Sequence, residues 1–325
     1  MSAMLQARDL VKRFGPITAV DGISLTVETG EVLGFLGPNG AGKTTTMKML
    51  TGFLVPTSGE AFVCGHSVAD APLAAKRHIG YLPEGAPAYG DMTPAGFLDF
   101  VAEVRGLNGA ERSRAVGAAV EAVHLAGVMN QPIETLSKGF RRRVGLAQAI
   151  LHTPDVLILD EPTDGLDPNQ KHEVRALIGR MAERTAVVIS THILEEVDAV
   201  CSRAVVIDRG RIVADGTPAG LKARSRYHNA VTVTLDAALA DTVEPALAGI
   251  DAVAGVERVE DGDKVLLTAL TADGRPALEP VRELAASNGW AVEQIAVDPG
   301  RLDDVFRAVT HTDAPSAEPE GETPS

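Results

Sequence analysis

Cysteine is almost missing from this chain: Cys64 and Cys201 are the only two, they lie far apart, and they match no metal-ligand spacing. With neither a disulfide framework nor a zinc motif to read, a reducing, cytosolic setting is the expectation. Long apolar runs are missing as well. Nowhere do about 18 apolar residues follow one another, so no membrane-spanning helix is expected and any membrane role falls to a partner. The opening residues 1–14 contain Arg8, Asp9, Lys12 and Arg13 and no apolar centre, which does not fit a signal peptide. Excess positive charge is absent: the net charge of -14 argues against a sequence-wide attraction to nucleic acid or anionic headgroups, and no nucleic-acid partner is expected. There is no internal repeat. What remains, 45% apolar and 23% charged over 325 residues, suits a globular protein with one good core and a second, smaller unit.

The pattern along residues 1–225 is α/β. Short β-branched strands alternate with helical stretches, which predicts a largely parallel sheet. Between about 84 and 150 the strands stop; residues 94–105 and 110–124 read as amphipathic helices, a helical subdomain inserted in the α/β core. A basic stretch at 222–226 leads to a different region. From 226 to 310 the order is β-α-β-β-α-β, with a hairpin around Asp261-Gly262-Asp263, which predicts a small α+β unit of ferredoxin-like type. Residues 311–325 are rich in Pro, Glu, Ser and Thr and are expected to be disordered.

The most specific signal is Gly37-Pro38-Asn39-Gly40-Ala41-Gly42-Lys43-Thr44, which fits G-x-x-x-x-G-K-[ST]. The apolar run 32–36 before it reads as a buried strand, and Thr45 onward reads as a helix. A strand–loop–helix of this kind aims backbone N–H groups and a helix N-terminus at one place, which suits a triphosphate. Glycines let the backbone wrap the phosphates without Cβ clashes. In that reading Lys43 reaches the β- and γ-phosphates and the Thr44 hydroxyl ligates Mg²⁺. A phosphate loop alone leaves kinases, GTPases and many ATPases open.

Two further patterns narrow the field. Val156-Leu157-Ile158-Leu159 is apolar on both faces, so it reads as a central strand, and it ends in Asp160-Glu161. Beside the phosphate loop, Asp160 suits Mg²⁺ and Glu161 suits a general base polarising the attacking water; in isolation two such acids are equally a solvated turn. Leu136-Ser137-Lys138-Gly139-Phe140 opens a helix with Ser137 as a natural N-cap. Lys138, Arg141, Arg142 and Arg143 crowd its first turns, where the helix dipole disfavours positive charge. Their placement makes sense if an anion docks there; a nucleic-acid patch would want interleaved aromatics, which are missing.

Together these segments make residues 5–218 resemble the ATP-binding subunit of ABC transporters, whose fold is the P-loop NTPase cassette with a helical subdomain. The likeness also rests on Asp164-Gly165-Leu166-Asp167 at the family's D-loop, on His192 in Ser190-Thr191-His192 at its switch position, and on the phrases Ile79-Gly80-Tyr81-Leu82-Pro83-Glu84 and Gly210-Arg211-Ile212-Val213. The resemblance implies that Phe14 stacks on adenine with Val20 flanking the ring. It implies that Glu84, at the Q-loop, joins the Mg²⁺ shell to the helical subdomain, and that His192 contacts the γ-phosphate. The signature residues Ser137, Lys138, Gly139 and Phe140 then serve the ATP of a second copy, in a head-to-tail pair with two ATPs between. The implied second partner is a separate integral membrane permease, with this chain cytoplasmic on the inner face of the membrane.

The chain departs from the family pattern in four places. Glu84 replaces a glutamine and adds negative charge beside a triphosphate. Lys138 and Phe140 replace the glycine and glutamine of Leu-Ser-Gly-Gly-Gln, while Ser137 and Gly139 remain. Asp164 replaces a common serine. This combination, with Leu302-Asp303-Asp304-Val305-Phe306, is similar to export-type bacterial subunits such as those of gliding motility and nitrous-oxide reductase assembly. Two other classes stay in view. A soluble ABC ATPase acting on ribosomes or DNA would be expected to carry two cassettes or long coiled coils, neither of which is present. A regulatory module without turnover would need a damaged catalytic set, yet Glu161 and His192 are both there.

Overall fold

The computed structural model describes residues 3–310; the tail expected to be disordered lies outside the described residues. The chain divides into two compact units between Thr217 and Pro218. The first unit opens with β1 (Leu5–Phe14), β2 (Ile17–Val27) and β3 (Val32–Leu36), followed by α1 (Lys43–Leu50), β4 (Ser58–Val63), β5 (His66–Ser67), α2 (Pro72–Arg77) and β6 (Ile79–Leu82). The helical insertion follows as α3 (Pro94–Val104), α4 (Gly109–Ala122) and α5 (Lys138–Ile150). The chain then returns to the core through β7 (Val156–Asp160), α6 (Pro168–Ala182), β8 (Ala186–Thr191), α7 (Leu194–Val200), β9 (Arg203–Asp208) and β10 (Arg211–Gly216).

Six of these strands form one sheet in the order β10-β9-β3-β8-β7-β6, parallel except at the β9–β10 edge. Its central strands bury both faces, and alternate residues separate cleanly. Leu33, Phe35, Val156, Ile158 and Val188 join the core that contains α1. Leu157, Leu159, Val187 and Ile189 join the core packed by the inserted helices. That period of two explains why β3 and β7 read as unbroken apolar runs: a strand covered on both sides has no solvent face to mark. The rest of the strands form a separate antiparallel sheet, β2-β1-β4-β5, which the sequence reading did not anticipate. Long β1 and β2 pair through several register shifts, one beside Asp9 at φ +45°, and these irregularities break the alternation that would announce them.

The second unit begins with α8 (Pro218–Lys222), and the basic stretch that follows is held within it: the Asp304 carboxylate accepts from Ser225 Oγ (2.8 Å) and Arg226 N–H (3.0 Å). Next come β11 (Val231–Asp236), α9 (Ala240–Ala248), β12 (Val253–Asp261), β13 (Lys264–Thr271), α10 (Leu278–Ser287), β14 (Val292–Val297) and α11 (Leu302–Thr310). The four strands pair antiparallel in the order β12-β13-β11-β14, the split β-α-β arrangement expected. Val243 and Leu247 of α9 and Val281 of α10 pack on Val231, Val233, Leu235, Val265 and Leu267, so both helices cover one face.

Candidate active site

All five residues of β3 are buried, and the chain leaves the sheet through a loop that ends at Gly42, the N-cap of α1. Two glycines there are dictated by space. A Cβ on Gly42, at φ +104°, would sit 2.4 Å from the Ala19 carbonyl oxygen, and one on Gly37 would sit 2.6 Å from that of Ile207. The loop therefore lies against the β2 and β9 backbones at distances only hydrogen allows. Lys43 is nearly buried, and its Nζ donates to the Gly37 carbonyl at 2.7 Å and the Pro38 carbonyl at 3.2 Å. Burial lowers its pKa, opposed by the negative charges of Glu161, Asp160 and Glu84. A cleft of about 310 Å³ opens over this loop; Pro38, Asn39, Gly40, Gly42, Lys43, Thr44 and Thr45 form its floor, and Ala19, Glu84 and Glu161 its walls.

Asp160 closes β7 and is completely buried. Its Oδ1 accepts a short hydrogen bond from Ser190 Oγ, whereas Oδ2 has no hydrogen-bond partner. An anionic oxygen shut away from water without a donor is costly, and a hard divalent cation is the group that relieves it. The residues that the resemblance groups for the metal, Asp160, Glu84 and the Thr44 hydroxyl, offer only oxygen, a donor set that fits Mg²⁺, and Thr44 and Glu84 both line the cleft.

Glu161 follows at φ +51°, a backbone state few side-chain-bearing residues adopt. It is held there by its N–H, which meets the Ser190 carbonyl (3.1 Å) and hydroxyl (3.2 Å). The turn brings Glu161 Oε2 to 2.9 Å from His192 Nδ1, which pairs the two residues expected to handle water. Burial raises the Glu161 pKa, with the His192 hydrogen bond and charge and Lys43 pulling the other way. A carboxylate whose proton affinity is raised while it faces a phosphate cleft is suited to take a proton from water.

A family model for ABC transporters matches residues 20–164. DrrA, the daunorubicin/doxorubicin resistance ATP-binding protein of Streptomyces peucetius, is 34% identical over 307 residues, 94% of this chain and 92% of its own. The chain belongs to the ABC transporter family, among its ATP-binding proteins. Nod factor export ATP-binding protein I of Ralstonia nicotianae (strain ATCC BAA-1114 / GMI1000) is 32% identical over 314 residues, 94% of either chain. "Probable multidrug ABC transporter ATP-binding protein YbhF" of Escherichia coli (strain K12) is 39% identical over 223 residues; these span 68% of this chain but 38% of YbhF. A solved structure described as an ATP binding subunit of an ABC transporter superposes with a TM-score of 0.63 at 29% identity, covering 67% of this chain and 92% of that one.

The remaining family motifs fall in distinct places. Phe14 ends β1 half-exposed, with Lys12 Nζ 5.2 Å from its ring centroid. Val20 is fully buried in the core, its Cγ2 3.4 Å from where a Cβ on Gly42 would stand, and its neighbour Ala19 lines the cleft wall. Ala41 is also buried, and its carbonyl accepts from the Gly210 N–H at 2.9 Å, which ties the loop to the β9–β10 turn.

Ser137 N-caps α5, its Oγ accepting from the Phe140 N–H at 3.3 Å. None of Ser137, Lys138, Gly139 and Phe140 is among the residues lining this chain's own cleft. Three of the four basic residues behind that cap have acidic partners within the chain. Lys138 Nζ donates to the Asp164 carboxylate at 2.9 Å, and Arg143 pairs with Glu173 at 2.8 Å. Arg142 is almost wholly buried, with Nη2 3.7 Å from the same Asp164 carboxylate. Lys138 and Arg142 in turn hold the Asp164 pKa below the usual carboxylate range. Two of the chain's departures from the family pattern, Lys138 and Asp164, therefore face each other. Asp167 N-caps α6, accepting from the Gln170 N–H at 2.9 Å.

Sequence reasoning missed the buried carboxylate of Glu196. It takes a short hydrogen bond from Thr163 Oγ1 and another from Thr191 Oγ1 at 2.9 Å, which clamps the turn before the D-loop to the residue before His192. No local signal marks it: an acid in the first turn of α7 reads as ordinary dipole complementarity.

Proposed function

We propose that this chain is the ATP-hydrolysing subunit of an export transporter, working as a head-to-tail dimer on a separate membrane permease. The observation that carries the ATPase reading is one constellation: a glycine cradle with its lysine in a cleft that Glu161 also lines, His192 paired to that Glu161, and, one residue before it, a buried Asp160 oxygen lacking a donor. In this scheme the cradle N–H groups and Lys43 orient the β- and γ-phosphates, for which Lys43 gives up its carbonyl partners. Mg²⁺, when bound, neutralises phosphate charge. Asp160, Thr44 and Glu84 would hold it. Glu161 accepts the proton of the attacking water, and His192 fixes the carboxylate's orientation and lies near the terminal phosphate. Phe14 takes the adenine.

The Ser137–Phe140 cap does not line this chain's own cleft, which supports a site completed by a second copy. We assign that cap to the ATP of the second copy, so that closure is driven by binding and release by hydrolysis. Among the described residues no helix is long and apolar enough to cross a membrane, so the transport path is assigned to another chain. The full-length relatives named for drug resistance and Nod factor export favour outward transport and a cytoplasmic placement of this subunit. The mass of the purified chain by light scattering, with and without Mg²⁺-ATP, tests the dimer; a monomer that turns over ATP at every concentration rules it out. Solubilised membranes of the native cell, pulled down on this chain, test the permease: the absence of any integral partner removes the transport half of the proposal.

A further inference from the structure

We propose that Cys64, His66, His78 and Asp155 form a zinc site that clamps the small antiparallel sheet to the entry edge of the parallel one. Three of these residues offer one ligand atom each within 4.8 Å of one another, and each is half-buried, so an ion can enter and a proton can leave. They come from three chain segments that the fold brings together. Cys64 and Gly65, at φ +48° and +79°, form the two-residue turn between paired Val63 and His66, a twist that fits a tight hairpin. Cys64 is further fixed by its N–H, which donates to the Met4 carbonyl at 2.8 Å. His78 ends α2, and its carbonyl accepts from the Val156 N–H at 3.0 Å, which holds Asp155 opposite it. His78 Nδ1 and Asp155 Oδ2 lie 2.6 Å apart.

His66, on the far side of the turn, stacks its ring on that of His78 at 5.5 Å and 14°. Rotation of this exposed side chain supplies the fourth donor. Ligand bonds of about 2.0 Å to nitrogen or oxygen and 2.3 Å to sulfur put tetrahedral donors roughly 3.3–3.5 Å apart. The imidazole–carboxylate pair therefore opens by about 0.7 Å and the thiol closes in. Side-chain rotation meets both demands.

The donor set selects the metal. Thiolate and imidazole are poor ligands for Mg²⁺ or Ca²⁺, whereas a mixed S, N, O tetrahedron suits zinc. Binding forms the Zn–S bond as the thiol proton leaves to solvent, so affinity rises with pH. None of the four residues lines the nucleotide cleft, so the site stands apart from the ATPase reading. Its spacing, 64, 66, 78 and 155, matches no linear zinc motif, which is why only the fold exposes it.

The test is a Co²⁺ titration of the full-length, tag-free, nucleotide-free chain, with Zn²⁺ then measured by displacement. Expected are one equivalent of metal, a near-ultraviolet thiolate-to-cobalt band, and a melting temperature raised by zinc. Cys64→Ser should abolish the band while Cys201→Ser keeps it, and His78→Ala should weaken binding at least about tenfold. His66→Ala, at an exposed position that folding tolerates, should weaken binding likewise. Equal metal uptake by the wild type and by Cys64→Ser/His78→Ala, meaning scattered surface binding, overturns the proposal, and so does a wild type that takes up none.

Discussion

Replacing Glu161 by glutamine removes one charge and almost nothing else. The side chain keeps its length, and the amide oxygen remains able to accept from His192, whose Nδ1 lies 2.9 Å away. The loss is therefore confined to proton acceptance. General-base assistance contributes typically 10²–10⁴-fold, so turnover should fall by about that factor, an added barrier of roughly 3–5 kcal/mol. Stability moves the other way. The folded-state pKa of Glu161 is raised by burial, so the ionised form is disfavoured in the native protein relative to the unfolded chain. That penalty appears as pH rises above the unfolded carboxylate value and is fully present above the folded one. At neutral pH the glutamine variant should thus melt no lower than the parent. ATP should still bind, and because hydrolysis is stalled the ATP-bound dimer should persist through gel filtration. Phosphate release, thermal melting and sizing on the same preparation separate the outcomes. Turnover within a few-fold of the parent removes Glu161 from the chemistry; a lowered melting point with lost binding makes it a structural residue instead.

Lys43→Ala should weaken ATP binding at least tenfold, the cost of roughly 1.5–3 kcal/mol for lost charge-assisted hydrogen bonds, and equilibrium binding of a fluorescent ATP analogue reads it; undiminished affinity contradicts the phosphate-loop assignment. For Lys138 and Asp164, a double-mutant cycle of Lys138→Ala and Asp164→Ala should return a coupling of about 0.2–1 kcal/mol in urea unfolding, because both side chains are about half exposed and solvent screens them. A coupling of zero would mean that the 2.9 Å contact contributes no stability. Half-buried His152, with its pKa pushed down to about 4 by desolvation and by Arg105, holds stability that is fully present above pH 6.5 and lost as pH falls toward 4. His152→Gln, whose amide replaces the ring as donor to the Ile79 carbonyl, should flatten that acid loss by at most about 3 kcal/mol; an unchanged pH–stability profile refutes the assignment.

The phosphate loop, the strand-end acids and the Ser137 cap were legible because each is built from neighbours in sequence. A strand buried on both faces, a turn that needs hydrogen at two Cα positions and a helix cap all leave local marks. The pairings that complete the site have no such signature. Ser190 on Asp160, Glu196 between Thr163 and Thr191, and Lys138 on Asp164 join residues that only sheet order and helix packing bring together. Long β1 and β2 were illegible for a related reason, since their bulges break the alternation that marks a half-buried strand. The basic first turns of α5 show how this changes a conclusion. Read alone, Lys138 at a helix N-terminus is a charge in the wrong place, and Asp164 is an acid beside a triphosphate site. Read together they neutralise one another where the signature helix meets the D-loop. An intrachain ion pair there leaves the Ser137 hydroxyl and the Gly139 backbone as the elements of the cap with which a neighbouring copy's phosphate can be met. On that physical ground the signature of this chain is altered in its charges and keeps the two groups, Ser137 and Gly139, that the proposed dimer would use.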